Sequence, residues 1–141
     1  MIQLSERRGP LIRFEDLVLD DRSPIYLQIL RFVRQGIAAG TVCYGDELPS
    51  RRVLSSLLGV NPNTVQKAFH LLEEEGIIES RTGAKSIIVT DAAAATRMRA
   101  ELQQREAQTA ARMLRESGLE KETALALIAA FWDQPAERSN E

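Results

Sequence analysis

The chain has 141 residues, 18 basic against 20 acidic side chains for a formal charge of -2, and a composition 44% hydrophobic and 27% charged. Those values are close to the globular average, which excludes a disordered charged tail as the main content and removes global basicity as a sign of nucleic-acid binding. There is no apolar run near the roughly 18 residues of a membrane span, no signal-peptide stretch at the N-terminus and a single cysteine, Cys43, so an intracellular, cytoplasmic setting is expected.

Residues 1–21 read as a polar N-terminal extension with a short apolar patch at Leu11, Ile12, Phe14, Leu17, Val18 and Leu19. Ser23-Pro24 then gives a helix start, with Ser as N-cap and Pro at the first helical position. Ile25, Ile29, Phe32 or Val33, and Ile37 recur at helical spacing up to Gly40. Ser50 caps a second helix whose apolar face is Val53, Leu54, Leu57 and Leu58, ended by Gly59. Asn61-Pro62 opens a third helix, with Val65, Ala68, Phe69 and Leu72 facing inward and Gly76 as its stop. Two short β-prone runs follow, Ile77 to Arg81 and Ser86 to Thr90, joined by the loop Thr82-Gly83-Ala84-Lys85. A long helix is expected from about Ala94 to Glu116, a break at Ser117-Gly118-Leu119, and a last helix from Thr123 to Trp132.

The expected fold is therefore mostly α with a small β-wing: a winged helix-turn-helix over residues 22–90 followed by a C-terminal α-helical hairpin over 91–141. The second helix of a helix-turn-helix pair enters a major groove with its N-terminal residues toward the base edges. Arg52 can reach phosphate or guanine, Asn63 and Thr64 can donate to phosphate or base edges, and Gln66 can pair with adenine. Lys67 is a candidate phosphate clamp, set against a merely solvated side chain. Arg81 and Lys85 flank the wing tip at Thr82-Gly83, where cations suit a minor groove or its backbone, or simply protect an edge hairpin. Arg51 faces another direction and is expected to be exposed. Asn61 is a cap, His70 a helix-surface residue, and Glu73-Glu74-Glu75 a solvated run directed away from DNA.

In the tail, Met98, Leu102, Met113, Leu114, Leu125, Ile128, Phe131 and Trp132 are the candidate dimerisation residues. Two amphipathic helices alone would leave much apolar surface wet, and a second copy is the simplest cover. One cysteine and one histidine (His70) exclude an ordinary zinc site, and no cofactor is expected. A small-molecule effector stays open, since no ligand site is visible. No nucleophile–base set, metal spacing or phosphate-binding glycine loop points to an enzyme.

Several of these segments carry a family resemblance. Leu48-Pro49-Ser50-Arg51-Arg52-Val53-Leu54, Leu58-Gly59-Val60-Asn61-Pro62-Asn63-Thr64-Val65-Gln66-Lys67-Ala68, Leu72-Glu73-Glu74-Glu75-Gly76-Ile77-Ile78 and Ser23-Pro24-Ile25-Tyr26-Leu27-Gln28-Ile29 resemble GntR-type transcriptional regulators. The Asn-Pro-Asn-Thr-Val wording and the short tail look most like the YtrA-type subgroup. The resemblance implies a dimeric bacterial regulator, a repressor by expectation, bound to an operator near its own promoter. It also implies that Arg52, Asn63, Thr64, Gln66 and the wing around Thr82-Gly83 sit where the family contacts DNA. The chain departs from many relatives in having Pro62 in place of a basic residue and a single glycine in the wing loop. The alternative function is a winged-helix protein-interaction module with a helical docking tail.

The charge is unevenly placed. Residues 22–90 hold 8 basic and 6 acidic groups (+2), while residues 1–21 and 91–141 are each at -2. A mildly basic reader between two acidic segments is compatible with local, groove-directed DNA binding.

Overall fold

The computed structural model describes residues 11–81 and 85–134. The elements are α1 (Ile25–Ala39), β1 (Glu47–Leu48), α2 (Arg51–Leu58), α3 (Pro62–Glu74), β2 (Ile78–Arg81), β3 (Lys85–Ile88), α4 (Ala92–Glu116) and α5 (Lys121–Phe131), with a 3-10 turn at Phe14–Asp16 ahead of them. The chain divides into two units, Met1–Leu102 and Gln103–Glu141.

In the first unit the core forms where the apolar stripes of α1 and α3 meet. Ile29, Leu30, Val33 and Ile37 pack with Val65, Ala68, Phe69 and Leu72, and Leu48, Leu54, Ile78 and Ile88 close the cluster. The chain leaves α1 through Gly40 at φ 81° and folds back over the same helix. Thr41 and Val42 both donate their amides to the Gly36 carbonyl, at 2.9 and 3.0 Å. A Cβ on Gly36 would lie 2.4 Å from a Val42 methyl, so this close crossing requires glycine.

The expected hairpin is present, but it is part of a three-stranded antiparallel sheet in the order β1-β3-β2. Glu47 pairs with Ile87 and Leu48 with Ser86, while β2 pairs along β3 from Ile78↔Ile88 to Arg81↔Lys85. A two-residue strand has no periodicity of its own, so β1 could not be seen as a hydrophobic pattern. Lys85 belongs to β3 rather than to the loop, and β3 ends at Ile88, before the expected Thr90.

Three further expectations are corrected. Ser23 does not cap α1 with its side chain; the helix begins at Ile25 with Pro24 at the cap. The reason is Gln28, whose amide donates to the Ser23 and Asp20 carbonyls, each at 2.8 Å, and whose oxygen accepts from the Asp20 amide. On α2, Val53 and Leu57 are exposed, and Leu54 and Ser55 are the buried residues. An eight-residue helix turns only a narrow stripe inward, and Ser55 fits that stripe because its hydroxyl is satisfied by the Val60 carbonyl. Third, the apolar patch before α1 is split: Ile12 and Phe14 are in the core while Val18 and Leu11 are exposed. Phe14 is fully buried with its ring centroid 5.1 Å from that of Phe32, and Ile12 donates its amide to the Glu47 carbonyl at 2.9 Å.

At the start of α4, Asp91 accepts from the Ala94 amide at 2.8 Å, and the helix begins two residues before the expected Ala94. Met98, placed in the dimer face by the sequence, is half-buried against the core of the first unit, beside Ala95. In the second unit α4 ends in a glycine turn: Gly118 has φ 89° and donates to the Arg115 carbonyl, and Leu119 donates to that of Leu114. α5 starts at Lys121, two residues before the expected Thr123. Neither α4 nor α5 contains a buried residue, and Met113, Leu125, Ile128, Phe131 and Trp132 are all exposed. Among the described residues no helix is long and apolar enough to cross a membrane, and no group of three or more His, Cys, Asp or Glu is placed to hold a metal.

Deleting the Phe14 ring tests whether the segment before α1 is part of the core. Phe14→Ala is expected to cost about 3–5 kcal/mol in urea unfolding, whereas Val18→Ala, at an exposed position, changes stability by less than about 0.5 kcal/mol.

Candidate nucleic-acid interface

The α2–turn–α3 unit is fixed by local bonds that its sequence encodes. Ser50 Oγ accepts from the Val53 amide at 3.1 Å and opens α2. Gly59, at φ 66°, ends it, with Val60 donating to the Ser55 carbonyl at 3.1 Å and Ser55 Oγ donating to the Val60 carbonyl at 2.6 Å. Asn61 Oδ1 then accepts from the Asn63 amide at 2.8 Å, and Pro62 occupies the first helical position, where no amide is needed. Because Val65, Ala68, Phe69 and Leu72 are buried, α3 turns Asn63, Gln66, Lys67 and His70 outward.

A groove of about 460 Å³ runs between α2 and α3, lined by Arg51, Arg52, Ser55, Ser56, Pro62, Asn63 and Gln66. Three residues singled out from the sequence, Arg52, Asn63 and Gln66, thus come together on one surface. Arg52 is exposed and forms no salt bridge among the described residues. Thr64 is half-buried in the first turn of α3, its amide bonded to the Asn61 carbonyl at 2.9 Å. The first turn of α3 adds the positive end of a helix dipole to this surface.

Arg51, expected to be exposed, is instead half-buried. Its guanidinium stands 5.3 Å from the centre of the Phe69 ring and 3.8 Å from Glu73, and its Nε is buried without a hydrogen-bond partner among the described residues. Arg51, Ser55 and Ser56 are the groove residues that the sequence reading missed. The adjacent Arg51-Arg52 pair was the visible signal, but which arginine turned inward depended on Phe69, which lies in another helix.

The acidic run is more than a solvated face. Glu73 Oε1 accepts from the Ser80 hydroxyl and faces Arg51, and Glu75 pairs with Arg34 of α1. Glu74 meets His70 at 3.0 Å. Each carboxylate of the run is thereby engaged on α3 or by a neighbouring element.

At the wing, Arg81 is 3.6 Å from Glu79 and Lys85 is 3.8 Å from Glu47. Exposed pairs of this kind are worth about 0–1 kcal/mol, so neither cation is committed to its partner. Thr82 and Gly83 lie outside the described residues. Lys67 is exposed on α3 with its ammonium 4.0 Å from the centre of the Tyr26 ring.

Residues 25–88 match the family model for bacterial regulatory proteins of the gntR family. The uncharacterised HTH-type transcriptional regulator YhcF of Bacillus subtilis (strain 168) is 32% identical over 108 residues, covering 77% of this chain and 89% of that relative. The chain belongs to the GntR family. It therefore joins a family of DNA-binding transcriptional regulators, not of enzymes. The HTH-type transcriptional repressor YtrA of the same organism is 43% identical over 76 residues, which supports the YtrA-like subgroup; the match spans 52% of this chain and 58% of YtrA. Among solved structures, a GntR family transcriptional regulator from Listeria monocytogenes superposes with a TM-score of 0.70 at 30% identity, over 79% of this chain and 98% of the other.

In the GntR reader, side-chain caps hold the starts of both α2 and α3. Asn61→Ala should lower unfolding free energy by about 0.5–2 kcal/mol. Asn61→Asp, which keeps the accepting oxygen, should retain most of it.

Proposed function

We propose that this GntR-family protein is a homodimeric transcriptional repressor that binds a two-fold-related operator. In this reading the first turns of α3 enter the major groove, and the wing lies at the adjacent groove or backbone. Arg52, Asn63, Thr64 and Gln66 supply base and phosphate contacts, and Lys67, Arg81, Thr82, Gly83 and Lys85 supply backbone contacts. The observation that carries the reading is the convergence of Arg52, Asn63 and Gln66 on one groove at the exposed N-terminal end of α3. The repressor role draws its support from the name of the YtrA relative.

Dimerisation is assigned to the tail because α5 has nowhere of its own to hide. Its sequence from Ala124 to Phe131 is apolar throughout, yet none of it is buried. Phe131 is 62% exposed and Trp132 77%. A helix this apolar is stable in water only against a covering surface. A second copy provides one and brings two readers to half-sites about 34–36 Å apart. Leu102, Met113, Leu114, Leu125, Ile128, Phe131 and Trp132 are assigned to that interface; Met98 contributes by anchoring α4 to the first unit. The reading requires no cofactor and places the protein in the cytoplasm. A small-molecule effector would act by shifting the affinity of the dimer for DNA.

Binding to promoter DNA from upstream of its own gene should weaken steeply with salt, with a log–log slope of about -0.9 for each phosphate contacted. Affinity no better than for random DNA would contradict sequence-specific repression. Arg52→Ala should cost about 1–3 kcal/mol of specific binding while the melting temperature stays unchanged. Phe131→Arg should convert the dimer to monomer in sedimentation velocity and weaken operator binding in parallel; an unchanged dimer would remove the assignment of the tail.

A further inference from the structure

The two sides of α3 present different groups. On one side of α3 the neighbouring helix α2 brings Arg51 and Arg52 up to Gln66. On the other side is α1, and the cation that α3 itself turns outward there is Lys67, beside Tyr26. At about 100° per residue, Gln66 and Lys67 fall on opposite shoulders of the exposed face of α3. A helix about 10–12 Å across, lying in a groove about 12 Å wide, has a phosphate backbone beside each shoulder. Arg52, beside Gln66, and Lys67, beside Tyr26, thus stand at opposite shoulders of α3.

Lys67 differs from an ordinary surface lysine in what it touches. Its ammonium lies 4.0 Å from the ring centre of Tyr26, a half-buried residue in the first turn of α1. No carboxylate among the described residues forms a salt bridge with it. The ring face attracts the cation without neutralising it, and leaves the outer side of the ammonium free for a phosphate oxygen. Tyr26 is itself packed against the core, so its ring biases the exposed Lys67 ammonium toward one place on the body of the reader.

We propose that Tyr26 is a positioning residue for DNA binding: its ring presets the Lys67 ammonium against the phosphate backbone on the α1 side of the groove. This rests on the DNA-binding reading above. It adds a residue of α1 to the interface, and it makes the contact independent of base sequence.

The test uses the full-length protein and a short duplex of random sequence, since a phosphate contact needs no operator. Affinity is measured by fluorescence anisotropy across a salt series. Lys67→Ala should reduce the salt slope by about 0.9. Tyr26→Phe, which keeps the ring, should bind like the unmodified protein. Tyr26→Leu should weaken binding about two- to fivefold, the range of an exposed cation–π contact, and should add nothing in the Lys67→Ala background. A full loss from Tyr26→Leu that persists with Lys67→Ala would overturn the proposal, as would no loss at all. Should Tyr26→Leu fail to fold, the Lys67 εCH₂ resonance of the unmodified protein decides. Ring-current displacement in the free protein and a further shift on adding duplex support the proposal, and the absence of either overturns it. If the unmodified protein fails to bind duplex at low salt, the DNA reading itself fails.

Discussion

The packing of α3 on α1 is the contact on which the rest of the structure depends. Val65, Ala68, Phe69 and Leu72 are buried against a core that includes Ile29, Val33 and Ile37. Because an α-helix has one inward stripe, burying these four residues decides which residues face outward. Asn63, Gln66, Lys67 and His70 are exposed for no reason of their own; they are what remains when the stripe is satisfied. The same contact sets the neighbours of each shoulder. α2 reaches Gln66 from one side, and Tyr26 of α1 reaches Lys67 from the other.

Charge is then sorted around that frame. The segment from 22 to 90 is only mildly basic, and its acidic groups are concentrated at the end of α3 and on the sheet. A carboxylate run at a helix C-terminus is unfavourable for the helix dipole. Here it is offset by cross-element pairing, of Glu73 with Arg51 and Ser80 and of Glu75 with Arg34. Those pairs link α3 to α2, β2 and α1. The arrangement leaves the N-terminal end of α3, with the favourable end of the dipole and Arg52 beside it, as the place where an anion is attracted.

Much of this was legible in the chain because it is local. Ser50, Gly59, Asn61-Pro62 and Gly118 each specify a cap or a stop within four residues, and all four act as read. The inward stripe of α3 follows from spacing alone. What the sequence left hidden depends on partners distant in the chain. Gln28 displaced Ser23 as the organiser of the start of α1 by binding the Asp20 and Ser23 carbonyls. Phe14 became core through Phe32, and β1 exists only because β3 pairs with it. Arg51 turned inward through Phe69 and Glu73, and Lys67 was oriented by Tyr26, 41 positions earlier. The candidate site was thus read as a set of residues, while its two shoulders needed the fold.

The central claim is that the outward face of α3, bounded by α2 and α1, is the surface that meets DNA. Backbone amide shift mapping during titration with promoter DNA from upstream of the gene tests it most directly. The account predicts that perturbations concentrate at Arg51–Arg52, at Asn63–Lys67, at the first turn of α1 and at the wing strands, with α5 unaffected. Perturbations confined to α4 and α5, with Asn63 and Gln66 unchanged, would contradict it.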